Sequence, residues 1–152
     1  REDAVRALVE PLAQTLGATH VVDAKTQDAI ATIMAATGIG VTYALETTAN
    51  PRVIRTAIES LAPRGTCGIL GASTLDTEIT LNAMHLMTAG RSLRGIIEGD
   101  SNPDVFVPRL IELFRQGRFP FDKLVTFYPF DRINDAIDDA ETGKVVKPIV
   151  RM

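Results

Sequence analysis

The sequence has little of several features that mark specialised classes of protein. It contains one cysteine, Cys67, so the chain can form neither an internal disulfide nor a cysteine-based metal cluster of its own. It contains no tryptophan, and aromatic residues make up only 5%, so its core must be mainly aliphatic. No run approaches the roughly 18 apolar residues that indicate a membrane span. The first residues, Arg-Glu-Asp, do not form the apolar core of a signal peptide.

An excess of positive charge is also missing. The 152 residues carry a formal net charge of −3, and the sequence pI is about 5.4. Neither a nucleic acid nor an anionic membrane surface attracts an acidic protein, so we expect neither as a partner. Hydrophobic residues make up 45% of the chain, which is ordinary for a globular protein. Length and composition therefore predict one globular domain, residues 1–152, in the reducing cytoplasm.

Short β-branched segments alternate along the chain with segments whose apolar residues recur every three or four positions. This alternation is typical of βαβ units and predicts an α/β fold with a parallel sheet. The predicted strands are residues 20–24, 41–46, 66–70, 92–97, 125–129 and 145–150. The predicted helices are residues 1–16, 27–37, 51–61, 83–88, 103–116 and 132–142. No linker suggests a boundary between two domains.

Helix starts are the clearest local signals in the sequence. Asn50 and Asn102 each stand before a proline, which suits an N-cap residue followed by the first helical position. Asp131 is predicted to cap the last helix in the same way. In the helix after Asn102, Pro108 is awkward because proline lacks the amide hydrogen.

The ends of three predicted strands form a candidate ligand crevice at residues 46–48, 70–72 and 97–99. Ligands of open α/β sheets bind beyond the carboxyl ends of the strands, where glycine lets a ligand approach the backbone. The glycine at position 71 fits this reading and fits a tight turn equally well. Glu46, at a strand end before two threonines, either fixes a loop or meets a ligand.

Familiar catalytic and phosphate-binding motifs are missing from the sequence. Neither GxGxxG nor GxxxxGK[ST] occurs, and the glycines at 38 and 40 precede a strand, which favours a helix stop. His20 and His85 each lack a second ligand three or four residues away, so no metal site is predicted. Cys67 is most simply a buried apolar residue in a strand. These residues alone predict no catalytic group.

Several stretches together resemble a known family. Leu-Gly-Ala-Thr-His-Val-Val from Leu16, Tyr-Ala-Leu-Glu-Thr-Thr from Tyr43 and Gly-Ile-Leu-Gly-Ala from Gly68 resemble the cofactor domain of medium-chain, zinc-dependent alcohol dehydrogenases. Arg-Gly-Ile-Ile-Glu-Gly-Asp-Ser from Arg94 and the tail from Phe130 onward resemble the aryl-alcohol (benzyl-alcohol) branch. The resemblance extends over roughly residues 12–152 and depends on the order and spacing of these stretches.

The resemblance implies a truncated Rossmann-like parallel sheet. The chain would be the C-terminal part of a nucleotide-binding domain and would lack its first strands and its glycine-rich loop. A GroES-like domain, which carries the zinc ligands in this family, would also be absent. The chain itself would then contain neither a metal site nor a catalytic residue.

The resemblance also assigns cofactor contacts by position. It places Thr47 and Thr48 on the adenosine side, and Leu70, Gly71 and Ala72 at the strand end that holds the nicotinamide. It places Ile96 and Glu98 where their backbone meets the carboxamide, and the basic residue Lys147 at the pyrophosphate. Met84 and Met87 would lie near the substrate entrance across a dimer.

The function implied is part of an NAD-dependent oxidation of small aryl alcohols to aldehydes, with zinc held in the missing domain. We expect the isolated chain to be inactive, to bind NAD weakly or not at all, and to form a homodimer through the strand Ser92 to Ile97. Two alternatives stay open. The fold could be kept only for association, or the chain could belong to the zinc-free quinone-reductase branch. The surrounding reading frame would distinguish the first alternative from the enzyme: a zinc domain encoded upstream would make the chain part of an enzyme.

Overall fold

The computed structural model describes residues 10–152, and these divide into two compact units. The central unit is Val22–Ser101, and the terminal unit comprises residues 10–21 together with Asn102–Met152. Each unit has its own parallel sheet. The predicted α/β class with parallel strands is confirmed.

The helices and strands follow one another largely as the hydrophobic pattern predicts. The helices are α1 (residues 10–15), α2 (Ala29–Thr37), α3 (Pro51–Glu59), α4 (Ala83–Met87), α5 (Pro103–Arg115) and α6 (Ile133–Glu141). The strands are β1 (Val41–Glu46), β2 (Leu61–Ile69), β3 (Ser92–Gly95), β4 (Val125–Pro129) and β5 (Lys147–Arg151). Short 3₁₀ turns cover Glu98–Asp100, Phe121–Leu124 and Phe130–Arg132.

The central unit contains a three-stranded sheet in the order β1-β2-β3. All its pairs are parallel, and Glu46, Ile69 and Gly95 lie side by side at the carboxyl ends of the three strands. The register between β1 and β2 shifts once, because β2 bulges at Pro63 and Arg64 and the latter has a φ of 62°. The aligned strand ends place the candidate crevice at one edge of this sheet.

Helix α3 and strand β2 together form the core of the central unit. Asn50 caps it as predicted, accepting a hydrogen bond from the Arg52 amide at 2.9 Å, and Pro51 occupies the first turn. Ile54 and Ile58 are buried and pack with Leu61 and Cys67 of β2.

The terminal unit pairs β4 with β5 and packs α6 against both strands. Its most buried side chains are Tyr128 and Ala136. The Tyr128 hydroxyl donates to Asp139 of α6 at 2.7 Å, and the Lys144 ammonium pairs with the same carboxylate at 2.9 Å. This polar group links strand, helix and the following loop.

Three local predictions were wrong or could be followed only in part. Residues 20–24 are not a strand, because no strand of the described chain lies beside them to accept their backbone hydrogen bonds. Asp131 does not cap α6: the chain first makes the turn Phe130–Arg132, and the cap position falls on Arg132, without a side-chain cap. Of the helix predicted over residues 1–16, residues 10–15 are helical, and residues 1–9 lie outside the described residues.

Candidate functional site

The carboxyl ends of β1, β2 and β3 lie next to each other and form the strand-end site, defined here as residues 46–49, 70–72 and 96–100. The Leu70 amide donates to the Glu46 carbonyl oxygen at 2.8 Å, and the Ile96 amide donates to the Ile69 carbonyl oxygen at 2.9 Å. These bonds extend the sheet pairing by one residue into each loop. Seven of the eight residues that the resemblance singled out are thereby brought to one edge.

Glu46 is the carboxylate on which the first loop is built. Its side chain is 2% exposed, and one carboxylate oxygen accepts hydrogen bonds from both the amide and the hydroxyl of Thr48. The other oxygen accepts from the Ala49 amide at 3.2 Å. Of the two readings left open by the sequence, the structure therefore supports loop fixing, because the carboxylate is directed at its own loop.

Gly71 lies where the second loop crosses the first. A Cβ at this position would lie 2.4 Å from the Ala49 amide nitrogen and 3.0 Å from the Thr47 carbonyl carbon. Backbone atoms cannot move away as a flexible side chain can, so only glycine fits. The close approach that the sequence suggested is thus between two loops of the protein.

Most of the predicted contact residues are exposed to solvent. Thr47, Thr48, Ala72 and Glu98 are exposed. Among the apolar side chains at this edge, Leu70 is 41% exposed, and Ile96 is half-buried. The edge therefore offers polar and apolar surface together, which suits an amphipathic ligand.

The third loop has an unusual backbone. Glu98, Gly99 and Asp100 have φ angles of 48°, 71° and 50°, all in the left-handed region. Such a conformation costs a non-glycine residue about 1–2 kcal/mol. Asp100 holds the loop through its amide, which donates to the Ile97 carbonyl oxygen at 2.7 Å, and through its carboxylate, which accepts from Arg94 at 2.6 Å.

A shallow cavity of about 380 Å³ adjoins the strand-end site on one face of the sheet. Tyr43, Leu45 and Ile96 line it with apolar surface, and Arg94 and Asp100 form part of its lining. Tyr43 and Leu45 are 80% and 62% exposed. Helix α3 packs against β1 and β2 of this sheet.

Lys147, the eighth predicted contact, belongs to the terminal unit. It is the first residue of β5, its side chain is exposed, and its strand neighbour is Val125. Met84 and Met87, which the resemblance places near a substrate entrance, lie on α4 of the central unit and are 56% and 65% exposed.

Groups for metal binding or nucleophilic chemistry do not converge at this edge. Within residues 10–152, no three histidine, cysteine, aspartate or glutamate side chains are placed to hold a metal ion. Burial raises the pKa of the Cys67 thiol, and the negative charge of Glu46 raises it further. Cys67 is fully buried, so the thiol stays neutral and is packed as an apolar residue.

The ion pair between Arg94 and Asp100 is not predicted from the sequence, although both residues lie in one stretch that carries the family resemblance. The signal that could have found the link is the glycine at 99 between two acidic residues, which marks a tight turn, followed by the search for a basic partner on the preceding strand.

Comparison with known proteins agrees with this geometry. The model of the zinc-binding dehydrogenase family matches residues 9–116. The chain belongs to this family. The resemblance to zinc-dependent alcohol dehydrogenases found in the sequence is thereby confirmed.

Individual relatives cover nearly the whole chain. The chain is 42% identical over 140 residues to geraniol dehydrogenase of Castellaniella defragrans, which covers 91% of the chain and 38% of the relative. The structure of benzyl alcohol dehydrogenase from Acinetobacter calcoaceticus matches with a TM-score of 0.90 and 41% identity, over 93% of the chain and 39% of that protein. An alcohol dehydrogenase zinc-binding domain protein from Burkholderia ambifaria matches with a TM-score of 0.90 and 46% identity, over 93% and 38%.

The chain therefore spans less than two fifths of the length of these relatives. The TM-scores of 0.90 show that its fold is that of the corresponding part of alcohol dehydrogenases. No helix among residues 10–152 is long and apolar enough to cross a membrane.

Proposed function

We propose that the chain is the C-terminal cofactor-domain portion of an NAD-dependent zinc alcohol dehydrogenase that oxidises aryl alcohols to aldehydes. The observation that carries the proposal is the convergence of the residues at 47–48, 70–72 and 96–98 at one edge of a parallel sheet. This edge is where open α/β sheets bind their ligands. The similarity to benzyl alcohol dehydrogenase supports the aryl alcohol as substrate class.

The strand-end site fits the nicotinamide end of NAD. The ring needs a partly apolar support, and Leu70 and Ile96 supply such surface beside the exposed Ala72. The carboxamide needs a backbone donor and acceptor, and in the loop at residues 96–98 these would be the Glu98 amide and the Ile96 carbonyl oxygen, because the other backbone groups are bonded within the fold. Thr47 and Thr48 are exposed at the same edge, although the Thr48 hydroxyl is bound within the loop, donating to Glu46 and accepting from the Asn50 amide.

When bound, NAD supplies the hydride acceptor for oxidation of the alcohol to the aldehyde. The residues of this chain act by position: the loops after β2 and β3 orient the ring, and the Glu46 network keeps the first loop in place. The described residues do not fit a zinc ion. In the proposed enzyme, zinc lies in a domain outside the aligned region.

A chimera tests the proposal. In it, the corresponding segment of the Acinetobacter calcoaceticus benzyl alcohol dehydrogenase is replaced by this chain. We expect a folded chimera to oxidise benzyl alcohol with NAD. The isolated chain is the control: it is expected to show no activity, no stoichiometric zinc after dialysis, and an NAD dissociation constant weaker than low micromolar by calorimetry. A folded chimera that does not bind NADH would contradict the proposal, and activity of the isolated chain would contradict the assignment of chemistry to other parts.

A second candidate function, association, is favoured by the position of β3. This strand lies at the edge of the sheet and pairs only with β2 among the described strands. The two residues that follow β3, Ile96 and Ile97, are apolar, and Ile97 is 79% exposed. An open strand edge invites pairing, and a two-fold axis would satisfy both copies at once. We propose a homodimer through the segment Ser92 to Ile97 in a cytoplasmic protein, whether or not the chain also binds cofactor.

A further inference from the structure

The third loop of the strand-end site holds a conformation that its residues do not favour by themselves. Three successive residues, Glu98, Gly99 and Asp100, have positive φ angles. Glycine adopts such angles freely and aspartate tolerates them, but glutamate rarely does. Since the backbone at Glu98 lies within the site proposed for the carboxamide, whatever holds this turn also sets the direction of that backbone.

Asp100 provides most of the hydrogen bonds that hold the turn. Its amide donates to the Ile97 carbonyl oxygen at 2.7 Å, and one of its carboxylate oxygens accepts from the Ile97 amide at 3.4 Å. The other carboxylate oxygen accepts from Arg94 Nη2 at 2.6 Å. One further bond supports the turn, from the Ser101 hydroxyl to the Glu98 carbonyl oxygen at 3.0 Å.

Arg94 connects this turn to a fixed part of the fold. It lies in β3, and its backbone is in register with Gly68 of β2 in the middle of the sheet. The Arg94 and Asp100 side chains are 68% and 44% exposed, so water competes with their ion pair, and the pair adds little to global stability. Its structural effect is local: it ties the end of the turn back to the strand from which the turn leaves.

We propose that Asp100, held by Arg94, is a positioning residue for the nicotinamide end of the cofactor. It acts through the backbone of residues 96–98 and itself touches no reacting atom. This inference rests on the proposed function, because it assumes that the same loop meets the carboxamide. The ligand chemistry is a planar aromatic ring that bears a primary amide.

The experiment uses the whole chain and nicotinamide mononucleotide as the probe. Asp100→Ala removes both carboxylate contacts, and Asp100→Asn keeps one oxygen as an acceptor. The matched control is Asp135→Ala, which breaks another exposed arginine–aspartate pair, that of Arg132 and Asp135 at 2.7 Å in the terminal unit. Two readouts are measured by NMR: hydrogen exchange at the amides of residues 97–101, and shifts of the residue 96–98 amides on titration with the probe.

We expect Asp100→Ala to speed exchange in the turn and to weaken binding of the mononucleotide by about tenfold. Asp100→Asn should recover part of both effects, and Asp135→Ala should change neither. If the wild type binds the probe at residues 96–98 and Asp100→Ala binds it equally well, the positioning role is overturned and the proposed function stands. If the wild type shows no shift at residues 96–98 at millimolar probe, this inference is overturned, whereas the proposed function, which expects only weak cofactor binding by the isolated chain, is decided by the chimera.

Discussion

At the scale of single residues, the most consequential side chain is the buried carboxylate of Glu46. It accepts three hydrogen bonds from Thr48 and Ala49, and it lies directly at the end of a strand. A buried charge is tolerated only when hydrogen bonds of this kind replace water. The loop that carries Thr47 and Thr48 thus owes its shape to one residue that does not itself face the ligand.

Replacing Glu46 with glutamine tests this role. The amide group can accept on one side only, and its NH₂ group would face a donor, so we expect Glu46→Gln to lower the free energy of unfolding by about 2 kcal/mol. Urea unfolding followed by circular dichroism measures the loss. The control is Glu78→Gln at an exposed position, which should leave the midpoint unchanged. Equal stability of the two variants would contradict the stabilising role of the Glu46 carboxylate.

The buried tyrosine of the terminal unit predicts a dependence on pH. The pKa of Asp139 is held below its ordinary value of 3.8, first by the hydrogen bond from Tyr128 and then by that from Lys144. A lowered carboxyl pKa stabilises the fold above the ordinary value, and this contribution is lost as the pH falls through the lowered value.

The corresponding variant is Tyr128→Phe, which removes the larger of these two causes. We expect the wild type to be more stable than this variant at pH 5 to 8, and the difference to shrink as the solution is acidified below about pH 4. Thermal unfolding at a series of pH values measures it. Tyr43→Phe, at a residue 80% exposed, serves as the control and should show no such difference. A difference that persists undiminished at the acid end would contradict the assignment to Asp139.

At the scale of elements, the agreement between sequence and structure depends on where the information lies. The caps at Asn50 and Asn102 are local signals, and both are present, each asparagine accepting from the amide two residues on. Asp131 carries the same kind of signal, yet a 3₁₀ turn intervenes and moves the helix start. Residues 20–24 have the composition of a strand, but none of the strands in residues 10–152 pairs with them, and pairing is not encoded in the segment itself.

The candidate site, too, could be predicted only in part from the sequence. The strand ends could be located from periodicity, so residues 47–48, 70–72 and 96–98 were brought to one edge as expected. The contact between the loops at Gly71 and the ion pair between Asp100 and Arg94 were not predictable from the sequence. Both depend on how segments of the folded chain approach each other in space.

The contact between the loops can be tested at Gly71. A methyl group there would lie 2.4 Å from the Ala49 amide nitrogen, so the loops must separate. We expect Gly71→Ala to destabilise the central unit by about 1–3 kcal/mol, as overpacking does elsewhere. Gly95→Ala is the matched control, because a Cβ at that glycine meets nothing within 4 Å. If both variants unfold at the same denaturant concentration, the loops are not in the contact described.

At the scale of the whole molecule, the open edge of the sheet predicts self-association. Ile96→Lys places a charge in the proposed contact between two copies of β3, and we expect sedimentation to show monomer or aggregate in place of a dimer. The control is Leu75→Lys, since Leu75 is fully exposed and lies outside this segment. A well-folded dimer of the Ile96→Lys variant would rule out this interface.

The central claim is that the strand-end site holds the nicotinamide end of a dinucleotide. Saturation-transfer NMR on NADH mixed with the intact chain tests it most directly, because the method detects weak binding and reports which protons of the ligand touch the protein. We expect stronger saturation of the nicotinamide ring protons than of the adenine protons, and a weaker effect in the Gly71→Ala variant. Stronger saturation of the adenine protons, or no transfer to the nicotinamide ring, would contradict it.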